Sequence, residues 1–400
     1  MPRSANPLRP LLLAGVAGLM TASLLLPSAE VRADDCLLDT NNDGIATAGT
    51  DTDLAANSNA LNTRVACGED ALATGAFGTA IGSQTAATGS SATALGFNAD
   101  ATGGSATALG SQSVASGISS VAVGNTAFAD FTDTVALGQS ADVGGVGAVA
   151  IGADANADGT SNIAIGGQSA ATLAGAIALG GDAGDLDTSG ALANGENALA
   201  VGSDSAATGV DAVSIGSRSS AFTNSVALGS AATANDNLNV AVGFSADALG
   251  GQATAIGSHS QADGPFAVAV GSGSFADGFN AAAVLGSAIG DGATTVGGSA
   301  RGTGAVAVGN GANSSSTDAI AIGASSNASG ESSTALGSRA DATARGAIAI
   351  GGDMADLNNR GAQATAIGAI ALGTDASAAG LSSVAIGLSA CSPSAPMAQI

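Results

Sequence analysis

From about residue 65 the apolar positions of the chain fall into one short figure that recurs to the end. A β-branched residue or Thr is followed by Ala, an aliphatic residue and Gly, as in Thr79-Ala80-Ile81-Gly82 and Ile163-Ala164-Ile165-Gly166. The marker glycines 82, 96, 110, 124, 138, 152, 166 and 180 stand fourteen apart. Counted through to Gly387 there are 23 marks, and 15 of the 22 intervals are fourteen residues. The residue before the marker is aliphatic in all 23 and the next one back is Ala in 20. The one before that is Val, Ile or Thr in 21, with Leu199 and Ala283 the exceptions. Val65-Ala66-Cys67-Gly68 lies one period ahead of the series and puts Cys67 in the aliphatic slot.

Alternating branched, small and aliphatic residues predict a strand whose two faces differ. A weaker strand is predicted half a period on, at Ala87-Thr88-Gly89 and Ala115-Ser116-Gly117. Glycines suit the two connecting turns, where a positive φ costs them nothing. A fixed period means one supersecondary unit stacked on copies of itself. The fold predicted is therefore all-β, a parallel β-roll or solenoid of 14-residue coils. Neighbouring coils lie ~4.8 Å apart, so about 23 of them make a rod of roughly 110 Å. Ala at the inward position fits a narrow interior, which leaves the aliphatic column partly outside. A stripe of that length is too large for water, and a cyclic homo-oligomer would bury it.

Composition narrows the chemistry. The chain has 400 residues with 61 Gly and 95 Ala, no Trp, Tyr or Lys, and one His. A catalytic apparatus built on several His, Lys or Tyr is excluded, and no enzyme is expected. Arg3 and Arg9, the apolar run Leu11–Leu26 and Val31-Arg32-Ala33 have the order of a secretory signal peptide over 1–33. The apolar run is shorter than the ~20 residues that span a bilayer, and no later segment would span one. Once 1–33 is removed, six Arg face 31 acidic residues, a net charge of −25. That is the reverse of a nucleic-acid footprint. Residues 34–64 read as a polar leader, 65–387 as the repeats and 388–400 as a short tail.

Ser120-Val121-Ala122-Val123-Gly124, Asn162-Ile163-Ala164-Ile165-Gly166 and Ser383-Val384-Ala385-Ile386-Gly387 resemble the head repeats of trimeric autotransporter adhesins, the YadA-like heads. The resemblance runs over about 65–390. It implies a left-handed parallel β-roll, a homotrimer, and an exported, cell-surface, outer membrane-associated or extracellular protein. The function implied is attachment to host or environmental surfaces.

Two coils are long in the same way. Gly180-Gly181-Asp182-Ala183-Gly184-Asp185-Leu186 and Gly351-Gly352-Asp353-Met354-Ala355-Asp356-Leu357 share a G-G-D-x-x-D-L pattern, and Gly190-Ala191 and Gly361-Ala362 follow at matching offsets. Each spans 22 residues to the marker at Gly202 or Gly373; Gly368, inside the second, is an extra mark. Such insertions map to loops on one face. They are either solvated excursions of a duplicated coil, the reading favoured here, or loops that contact a ligand or cation through Asp182, Asp185, Asp353 and Asp356.

Asp39, Asn41 and Asp43, followed by Gly44, resemble half of an EF-hand calcium loop. The twelfth position would be Thr50 instead of the bidentate Glu, so a polar leader is the better reading and calcium the lesser one. No other cofactor is implied. Cys36 and Cys67 flank this segment and form a disulfide candidate that would cap the first coil, with a buried Cys67 thiol the competitor. His259 is expected to be an exposed turn residue. The alternative function is ice- or crystal-surface binding through Thr ladders. Thr74, Thr88 and Thr102 align, as do Thr79, Thr93 and Thr107, but each ladder ends after three coils.

Overall fold

The computed structural model describes residues 56–58, 63–184, 189–354 and 359–392. Among them stand 23 three-residue strands, from Val65–Cys67 to Val384–Ile386, alternating with 23 two-residue strands, from Leu72–Ala73 to Cys391–Ser392. Each pairs in parallel with its counterpart one coil on, without slippage. Val149, Ala150 and Ile151 lie opposite Ile163, Ala164 and Ile165. Asn156 and Ala157 lie opposite Ala170 and Ala171. The result is the predicted parallel β-solenoid, with one ladder of long strands and one of short strands.

The interior is made almost wholly of methyl groups. Every buried hydrophobic residue among those described is Ala, apart from Val143. In the coil that begins at Thr79, the inward side chains are Ala80, Thr85, Ala87 and Ala92, all fully buried. The middle residue of a long strand points inward and its two neighbours point outward, as the period of two requires. The aliphatic column therefore lies on the outside of the roll. Several polar residues that replace an inward Ala are satisfied locally, while the buried hydroxyls of Ser314 and Ser333 have no partner. Ser214 and Ser219 share a 2.7 Å hydrogen bond. Asn162 donates from Nδ2 to the Ala171 carbonyl at 2.6 Å and accepts from the Ala176 amide at 3.1 Å.

Glycine usage differs from the expectation in an informative way. The left-handed positions near φ 55° in both turns are held mostly by other residues, such as Gln84, Asn98, Ser105 and His259. Most marker glycines take a different conformation, φ 139° at Gly96 for example, which only Gly adopts at low cost, while Gly297 keeps φ 71°. The second-turn glycines are needed for space. A Cβ on Gly103 would lie 1.9 Å from the Gly117 carbonyl oxygen of the next coil.

Two of the marks are reassigned by the register. Gly368 occupies the second turn at φ 64° and is not a marker. At Gly286 the strand is Ala282–Val284, so Val284 fills the aliphatic slot and Leu285 turns out into solvent at φ 52°. That strand and the next, Thr294–Val296, are only twelve residues apart because the turn between them is shortened. The ladder also reaches beyond 65–387, since Asn57 bridges to Leu72 in parallel and Cys391–Ser392 pairs with Ser377–Ala378.

Cys67 is disulfide-bonded and Cys391 is free and exposed. Cys36, Asp39, Asn41, Asp43 and the segment 1–33 lie outside the described residues.

Candidate interaction surfaces

The two sheets present unlike outer faces. On the long-strand sheet both outward columns are aliphatic or Thr, apart from Ala282 and Cys67, and no coil places a charge there. The two columns are about 7 Å apart and run the length of the rod, an apolar face on the order of 1,000 Å². A soluble monomer rarely exposes more than a few hundred Å² in one patch. The short-strand sheet presents instead a mixed column: Asp100, Val114, Phe128, Asp142 and Asn156 in successive coils. The two Thr ladders fall on different sheets, Thr79, Thr93 and Thr107 on the apolar one and Thr88 and Thr102 just after the short strands.

Both insertions leave the roll at the turn that follows a marker glycine and are tied down at the neck. In the first, the Asp182 amide donates to the Gly167 carbonyl and Gly190 to Gln168. In the second, Asp353 donates to Ser338 and Gly361 to Arg339. Ala191 and Ala362 then donate back to Gly180 and Gly351, closing each loop on itself. The same frame of three hydrogen bonds is built twice, so both excursions are anchored at their necks.

The acidic candidates take different parts in the two loops. Asp182 Oδ1 accepts from the Gly184 amide, while the Ala183 amide donates to Asp204 Oδ1 of the following coil at 3.1 Å. Asp353 forms an ion pair with Arg339, and its side chain is only 2% exposed. Asp185 and Asp356 lie outside the described residues. The sequence reading did not single out Arg339, Arg360, Gln363 and Asp375, which gather around the second loop. The available signal was composition: Arg339, Arg345 and Arg360 are half of the six Arg beyond residue 33. His259 is exposed in a turn, stacked edge-on to Phe244 at 5.2 Å with Ser258 Oγ 2.8 Å from Nδ1. Among the described residues no three His, Cys, Asp or Glu side chains are placed to hold a metal ion, and no helix is long and apolar enough to cross a membrane.

The family model for the YadA head domain repeat, in two copies, matches residues 73–99, 87–113, 101–127, 115–141, 193–219, 248–274, 300–326, 328–353 and 361–390, together just over half of the chain. The chain belongs to the YadA head repeat family. None of the curated proteins matches it. Departures from the YadA head period fall largely in the gaps between matches. The second loop separates the last two segments, and the first loop and the shortened coil at Ala282–Val284 lie in unmatched stretches.

Carboxyl groups on the short-strand face of this head sit close together and partly out of water. Burial pushes the Asp100 carboxyl above its ordinary range. At Asp142 burial acts in the same direction and Asp158 and Asp130 add to it, against the Val143 amide, which opposes them. Asp263 is raised by burial, opposed by the Gln261 side chain, with Asp277 and Asp247 adding. A folded-state pKa above the unfolded one means that the protonated form favours folding. That contribution is full below the unfolded value of ~3.9 and is lost as pH rises through the folded values. The thermal midpoint should therefore be higher near the raised carboxyl range than at neutral pH, and Asp142→Asn should flatten this dependence. Melting curves across the range, with and without the substitution, check it; an unchanged slope in Asp142→Asn counts against it.

Proposed function

We propose that the protein is an exported adhesin head in which three chains pack their long-strand sheets around a common axis. The observation that carries this reading is the outer face of that sheet, two apolar columns without a charge over 23 coils. Cyclic assembly buries such a face on every copy at once, and the trimeric nature of YadA-like adhesins favours three. The short-strand faces and both insertions then point away from the axis toward host or environmental surfaces. Contact is distributed along a long acidic surface, with the loops that carry Asp182, Asp185, Asp353 and Asp356 as candidate points of contact. The YadA head family has its place at the exported cell surface, which the leader over 1–33 suits.

Sedimentation of the chain without residues 1–33 is expected to give three times the protomer mass. The same preparation is expected to be retained on surfaces coated with matrix proteins or cells, and not on blocked controls. A stable monomer removes the packing argument, and a trimer that no surface retains removes the adhesive one.

A further inference from the structure

The return limb of the second insertion borders a polar cleft. Its floor is the outward column of the short strands, Asn327, Asp341, Gln363 and Ser377, which are register partners in four successive coils. Asn327 Nδ2 donates to Asp341 Oδ1 at 2.8 Å, and Asn313 to Asn327 at the same distance, so the floor amides are oriented. The return limb of the loop carries Arg360 across this floor. Cavities of about 320 and 430 Å³ lie to its two sides, and Arg360 and Gln363 line both.

Asp375 faces the larger cavity, and both of its carboxylate oxygens are shielded from solvent without a hydrogen-bond partner. A carboxylate accepts only, and natural structures leave few such groups unsatisfied. The first insertion supplies the internal comparison. There the equivalent residue, Asp204, receives the Ala183 amide on Oδ1, so that only its Oδ2 is buried without a partner, against both oxygens of Asp375. The equivalent floor is Asn156, Ala170, Leu192 and Ala206, with no charge. Gln168 and Ser189 stand where Arg339 and Arg360 do. The loop frame forms without the polar floor, so that floor is not required for folding.

We infer that the larger cavity, formed by Arg360, Gln363, Asp375 and Ser377, binds a polyhydroxylated saccharide residue. Neighbouring hydroxyls of a sugar ring donate to the two Asp375 oxygens. Arg360 and the Gln363 amide donate to ring and hydroxyl oxygens, and Ser377 takes a remaining hydroxyl. A carboxylate and a guanidinium share the cleft, which suits a ligand with many donors and acceptors better than a simple anion or cation. This deepens the adhesive reading by giving one point on the surface a ligand class, and it rests on that reading.

The test is saturation-transfer NMR on the trimer with free glucose, galactose, mannose, N-acetylglucosamine and N-acetylneuraminic acid. Transfer to the ring protons of at least one sugar is expected. It should weaken about tenfold in Asp375→Asn, the scale for losing a hydrogen bond to a charged group. It should also be lost in Asp341→Ala/Gln363→Leu/Ser377→Ala, which copies the floor of the first loop and so keeps a surface the fold already carries. Asp204→Asn should leave it unchanged. No transfer to any of the five sugars, or equal transfer in the floor variant, overturns the inference. A head retained on coated surfaces without a sugar signal refutes this cleft alone; a sugar signal without retention refutes the adhesive reading.

Discussion

Gly103→Ala is expected to break the rod at its coil, while Gly104→Ala, one residue along, is expected to be nearly silent. A Cβ at 103 would lie 1.9 Å from the Gly117 oxygen and 2.5 Å from its carbonyl carbon. Both atoms are backbone, held by the ladder on either side, so neither can rotate away. The Ala115 carbonyl receives the Gly103 amide at 3.2 Å, and the coils cannot part without losing that bond and its neighbours. A Cβ at 104 would meet nothing within 4 Å. The first substitution should cost more than ~4 kcal/mol, at the extreme of single replacements, and the second should stay within about 0.5 kcal/mol. In a stacked-repeat protein stability is close to a sum of coil and interface terms. The damage should therefore show as a second unfolding transition and as proteolytic cleavage near residue 103. A Gly103→Ala rod that melts in one transition at the parent temperature would refute the close-approach argument.

The contrast between these two glycines also shows what the sequence could carry and what it could not. Period, strand positions and the inward Ala column were legible because each coil repeats the same alternation, and a 23-fold repetition leaves no freedom of register. The reason for each glycine was not legible. Gly96 is required both for its φ of 139° and for its approach to the Gly110 carbonyl, Gly103 for its approach to the next coil alone, and these look alike as letters. Short coils misled the count for a related reason. Leu285-Gly286 reproduces the strand-end pattern, but deleting two residues from a turn moves the strand end back to Val284. The loop site was the least legible part. Its frame shows as a duplicated G-G-D-x-x-D-L, which drew attention to the aspartates. Yet Asp353 is held by Arg339, and the unpartnered carboxylate is Asp375, which lies one coil on with no motif to mark it.

Replacing Ile151 and Ile165 together by Asp is expected to convert the proposed trimer to monomers and leave each roll folded. The two residues are register partners on the outer face of the long-strand sheet, and Ile165 is 39% exposed in the single chain. Because they point out of the roll, the methyl-lined interior around Ala150 and Ala164 keeps its packing. Around a threefold axis every substitution appears three times at one height, so the double change brings six carboxylates into the apolar seam. Each copy loses the burial of two aliphatic side chains, about 1.5–3 kcal/mol apiece, and gains charges that must be desolvated beside like charges. No rearrangement of a rigid ladder relieves that. The control is Asn156→Asp, which adds one negative charge per chain, half that of the double change, on the short-strand face one half-coil away, and which should leave the mass unchanged. Sedimentation and far-ultraviolet circular dichroism together separate the outcomes. Monomers with parental β signal place the axis at the long-strand sheet. A trimer that survives the double change, or one that Asn156→Asp dissociates, moves the axis to another face and with it the surface available for attachment.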